Sequence, residues 1–186
     1  MRKMAVALLV AILGCPALWA ASLEGVSLPD EVTVGSSTLH LNGMGLRKKM
    51  VFKIYVAGLY LESPTSDAAA AVTAGGVKRI VMHFLSNKAT KKRMDEAWVE
   101  GFEANSPGDF KTLAERVQKF VGFFGDMKEG DVIECTVIPG TGTLVSFNGS
   151  EKGTIDGADF GAALLRIWLG PNPPSEDLKN GMLGAG

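Results

Sequence analysis

The chain has 186 residues, 46% of them hydrophobic, with 19 Lys and Arg against 20 Asp and Glu for a net charge of −1. That length supports one domain with a substantial core rather than two. The near-balanced charge excludes a polyanion binder, so no nucleic-acid partner is expected.

Arg2 and Lys3 precede an apolar run, Met4–Gly14, followed by Pro16-Ala17-Leu18-Trp19-Ala20. The run is far shorter than the roughly 20 residues that span a bilayer. Residues 1–20 therefore read as a secretory signal peptide, and 21–186 as one domain with no transmembrane segment. The expected location is periplasmic or secreted. Cys15 after Ile12-Leu13-Gly14 allows a minor alternative, lipoprotein attachment, against which stand a very short leader and Pro16. Cys135 is the remaining cysteine and lies in an apolar run, where a lone thiol is usually a small buried hydrophobe.

Residues 20–29 read as a lead-in. Val32–Val34 and Thr38–Leu41 alternate about Gly35-Ser36 and predict a hairpin. Gly43 and Gly45 free the backbone for a tight turn or a close approach. Val51–Leu61 follows as the longest strand, apolar on odd and even positions alike, as a strand covered on both sides requires. Gly58 within it marks a bulge or a close contact.

Pro64 ends that strand, and Ser66-Asp67 caps an alanine-rich helix running to Gly75-Gly76. Val77–Leu85 is a second strong strand. Lys88–Ala104 predicts a helix with Met94, Ala97, Trp98, Gly101 and Phe102 on one face. Ser106-Pro107 starts another, in which Phe110, Leu113, Val117, Phe120, Val121 and Phe124 recur at helical spacing. Asp131–Ile138 and Thr143–Phe147 are strands, and Asn148-Gly149 is a hairpin turn into Lys152–Ile155. Gly157–Leu169 and Ser175–Leu183 are the closing helices. This order is α+β, a large antiparallel sheet with helices packed on one face.

Enzyme motifs are largely absent. There is no nucleophile elbow, no paired-histidine metal helix and no phosphate loop, and Gly43-Met44-Gly45 is not followed by the helix a dinucleotide fingerprint needs. No cofactor and no metal are implied. His40 and His83 sit in strand runs and read as structural. Arg47 stands out: beside a strand apolar on both faces, it either pairs with a carboxylate or meets an anionic ligand. The bland alternative is that Arg47, Lys48 and Lys49 are solvated turn residues.

Gly45-Leu46-Arg47 followed by Phe52-Lys53-Ile54-Tyr55-Val56-Ala57-Gly58-Leu59-Tyr60-Leu61-Glu62 resembles the chalcone isomerase signature, a glycine–aliphatic–arginine turn leading into a strand. The likeness continues through Leu85-Ser86-Asn87-Lys88, the paired middle helices and Leu164–Gly170. It implies an open-faced β-sandwich with a cleft between helices and sheet. Plant enzymes of that family close a flavanone ring by intramolecular oxa-Michael addition. Relatives bind fatty acids without catalysis, and secreted bacterial members form a separate branch.

Arg47 matches the arginine that holds the ligand's anionic oxygen in both groups. The enzymes' strand threonine aligns with Tyr55 and their tyrosine with Thr90, making Arg47, Tyr55 and Thr90 the implied ligand-binding positions. Their asparagine falls at Ala97 and a late hydroxyl residue near Gly161, so catalytic residues do not carry over. The resemblance implies a non-catalytic binder of a small amphipathic or hydrophobic anion such as a fatty acid. The alternative is an intramolecular lyase of the chalcone isomerase type using Arg47.

Overall fold

The structure is a computed structural model that describes residues 20–106 and 108–185. The expected signal peptide thus lies outside the described residues, apart from Ala20. Seven strands form one antiparallel sheet in chain order: β3 (Glu31–Val34), β4 (Ser37–Lys49), β5 (Phe52–Leu61), β6 (Lys78–Phe84), β7 (Val132–Ile138), β8 (Gly142–Phe147) and β9 (Ser150–Ile155). Helices α1 (Ala68–Thr73), α2 (Lys91–Asn105), α3 (Phe110–Val121), α4 (Ala158–Leu169) and α5 (Glu176–Met182) complete it. The α+β class with helices on one face is as the sequence predicts.

Two apolar layers flank the sheet. On the helix side, Tyr55, Ala57, Leu59 and Leu61 of β5 pack with Trp98, Phe102, Phe120, Phe160 and Trp168. On the other side, Val56 and Tyr60 pack with Leu39, Val81, Val26 and Leu28. This is why β5 is apolar on both faces from Ile54 onward. The expected lead-in is instead a hairpin, β1 (Ala20–Leu23) and β2 (Val26–Pro29), turning through Glu24 and Gly25 at positive φ. It covers the outer face of the sheet, and Tyr60 donates to the Pro29 carbonyl at 2.8 Å.

The glycine segment is also not a turn. Gly43 and Gly45 lie within β4, and close approach is what they provide. A Cβ on Gly43 would strike the Gly181 carbonyl, and one on Gly45 the Leu178 carbonyl, because α5 rests directly on them. Gly58 likewise serves contact, since a Cβ there would meet Leu28. The turn comes later, at Met50-Val51, where Lys49 pairs with Phe52.

A register shift between Leu41 and Gly43 inserts one residue, Asn42, into β4. Such a bulge exchanges the two faces of the strand beyond it. Leu39 and Leu41 face the outer layer, yet past the bulge Met44 and Leu46 do so, and the odd residues turn to the helices. Asn42 is held in place by donating to the Met182 carbonyl (2.9 Å) and accepting from the Thr65 amide (2.7 Å). The bulge therefore aims Arg47 at the helix layer. No helix among the described residues is long and apolar enough to cross a membrane.

Candidate functional site: a cationic-mouthed cleft between sheet and helices

Arg47 and Tyr55 are directly opposed in the β4–β5 ladder, which places both side chains on the helix face. They line a cleft of about 740 Å³ bounded by the β4–β5 hairpin, Met82 of β6, one face of α2, the end of α4 and residues 172–174. The apolar wall includes Met94, Ala97, Trp98, Ile167 and Trp168. Gly101 allows the two helices to meet, as a Cβ there would press on Ile167. Asn105 fixes the far end by accepting from the Asn172 amide and donating to its carbonyl, at 2.9 and 3.0 Å.

Four cations line this cleft, Arg47, Lys49, Lys88 and Arg93, against one carboxylate, Glu100. Arg47 is half-buried and donates to the Lys48 carbonyl at 2.7 Å, using one of its five N–H donors. Among the described residues no carboxylate lies within ion-pairing distance of it. Of the two readings open in the sequence, pairing within the protein is thus not the one found. Lys88 Nζ sits 5.5 Å from the centre of the Phe52 ring, and Arg93 donates to the Lys88 carbonyl at 3.0 Å. These contacts draw the hairpin and the start of α2 together.

Tyr55 is buried, and the Trp168 indole donates to its hydroxyl oxygen at 3.2 Å. Because an indole only donates, the phenol retains its own O–H for an acceptor. Burial raises the Tyr55 pKa to about 12, opposed by the Trp168 hydrogen bond and by the Arg47 charge. At neutral pH it is a hydrogen-bond donor and not a base. Trp98, in the same wall, buries its indole N–H without a partner among the described residues. An unmet donor of this kind costs about 1–3 kcal/mol unless an acceptor arrives.

Thr90, the third implied position, lies elsewhere. It is exposed, does not line the cleft, and N-caps α2 by accepting from the Arg93 amide at 3.5 Å. Neither histidine lines the cleft; His40 pairs with Glu31 at 3.1 Å. Cys135 is buried, which pushes its thiol pKa up. Among the described residues no group of three or more metal-ligating side chains converges. Lys88, Arg93 and Trp168 also line the cleft, and nothing in the sequence marks them as doing so. They are remote in the chain, and no local pattern joins them to Arg47.

A family model described as chalcone isomerase-like matches residues 20–184. Among solved structures, a fatty-acid-binding protein of Arabidopsis thaliana aligns with a TM-score of 0.70. That alignment covers 89% of this chain and 96% of the plant chain at 16% identity, so the likeness is one of fold. No curated protein matches. Since the family match runs from β1 to just beyond α5, this chain belongs to the chalcone isomerase-like family.

Proposed function

We propose that this is an exported, non-catalytic binder of a small hydrophobic anion, with a long-chain fatty acid as the best-fitting class. The observation that carries this reading is the cleft, whose largely apolar lining includes four cations against one carboxylate. Its volume falls in the range of small-molecule sites. Arg47 would clamp the carboxylate through a bidentate, charge-assisted pair, strengthened where water is scarce. The Tyr55 O–H is the nearest second donor, and the acyl chain would lie along Met94, Trp98 and Ile167. Thr90 would act only through the start of α2. The fatty-acid-binding activity of the plant protein of similar fold adds support.

Ring closure of the chalcone isomerase type stands second. It needs a group that moves or positions a proton, and a phenol with a pKa of about 12 stays protonated at neutral pH, leaving almost no phenolate to act as a base. Ala97 and Gly161 offer no hydroxyl or amide in its place.

Displacement of a fluorescent fatty acid by palmitate tests the reading. Arg47→Ala should weaken palmitate binding about 10- to 100-fold, the loss of a charged hydrogen-bonding partner. Unchanged affinity in that variant would remove the clamp. Flavanone formation from chalcone, abolished by the same substitution, would put catalysis first.

A further inference from the structure

At the apex of the β4–β5 hairpin three consecutive large apolar side chains stand in water: Met50 is 89% exposed, Val51 85% and Phe52 48%. Two-residue hairpin turns favour Gly, Asn and Asp, because the backbone there takes positive φ. In the other tight turns positive φ falls mainly to Gly and Asn, at Gly25 (81°), Gly35 (60°) and Asn148-Gly149 (50° and 73°), with Glu24 (53°) a polar exception. Met50 instead adopts φ 56°, a conformation that a Cβ makes costly, and it is followed by a β-branched valine. The apex thus forgoes both good turn chemistry and apolar burial, a local cost that points to function.

The surroundings are basic. Lys48 and Lys49 precede the apex, Lys53 follows it, and Lys88 lies over Phe52. Glu24, the acid in contact with this group, is paired with Lys53 at 2.5 Å. Protruding apolar residues ringed by lysines match the boundary of an anionic bilayer, where the chains take up the apolar tip and the headgroups meet the ammonium groups. We infer that the β4–β5 apex docks this protein on an anionic phospholipid membrane. Lys49, Met50 and Phe52 also line the cleft, so docking turns the cleft mouth to the lipid. The use of that orientation, transfer of an acyl ligand without passage through water, rests on the fatty-acid reading; docking itself does not.

Flotation with vesicles decides it, without added fatty acid. The protein should bind vesicles of phosphatidylcholine containing about 30% phosphatidylglycerol at least tenfold more tightly than phosphatidylcholine alone, and high salt should release it. Val51→Asp should abolish binding, and Lys48→Gln with Lys53→Gln should weaken it about 30-fold. None of these three residues lines the cleft or is buried in the core, so the near-ultraviolet circular dichroism should stay as in the parent and certify the fold. Absence of vesicle binding, equal binding to both compositions, or an undiminished Val51→Asp variant overturns the inference.

Discussion

Tyr55 shows what burial does to a single group. Its folded pKa of about 12 lies above the ordinary 10.0 of an unfolded chain, so the folded protein keeps that proton longer. The stability this gives is fully present below pH 10 and is lost as pH rises through 12. A shift of that size corresponds to about 2–3 kcal/mol. Tyr60, raised to about 12 chiefly by burial, adds in the same direction. Denaturant unfolding from about pH 8 upward should show falling stability above pH 10, with a shallower fall in Tyr55→Phe. At this scale the sequence was partly legible. A lone arginine beside a doubly apolar strand announces itself, whereas Trp168 meets Tyr55 only through the fold. Thr90 carried a local signal that the alignment overrode: a threonine just before a helical run is an ordinary N-cap.

Strand β4 carries the site as an element. Its bulge at Asn42 sets which face Arg47 takes, and its glycines let α5 lie against the backbone. Gly45→Ala should destabilise the protein by about 1–3 kcal/mol in urea unfolding, because the obstructing atom is a main-chain carbonyl that cannot rotate away. A value near zero would mean that α5 shifts freely. Glycine is depleted in strands, so Gly43 and Gly45 resembled a turn locally. The reason they are tolerated lies in α5, far along the chain. The β1–β2 hairpin was hidden differently, its Val26 and Leu28 alternation being too short to stand out beside the longer apolar run Met4–Gly14.

For the whole molecule, a ligand that binds only the folded state must stabilise it. Palmitate at about 100 times its dissociation constant should add ~2.7 kcal/mol, raising the melting temperature by roughly 5–10 °C in calorimetry, with little rise in Arg47→Ala at the same concentration. The fold class was legible because long strands and two amphipathic helices dominate the pattern. The cleft was not, since its walls join residues 47–55, 88–104 and 167–174. Strand order follows chain order from β3 to β9, and α2 and α3 enter as one excursion between β6 and β7. No rung of the sheet ladder runs through that excursion. The exposed cleft-lining positions of α2, Arg93, Ala97 and Glu100, can therefore be rewritten by mutation while the ladder stays zipped, whereas Trp98 and Phe102 are held in the core against β5. The sheet contributes Arg47 and Tyr55 to the cleft, and the excursion contributes much of its remaining contour. Taste in ligands can thus drift at those exposed positions while the buried ones on the same helix keep the fold.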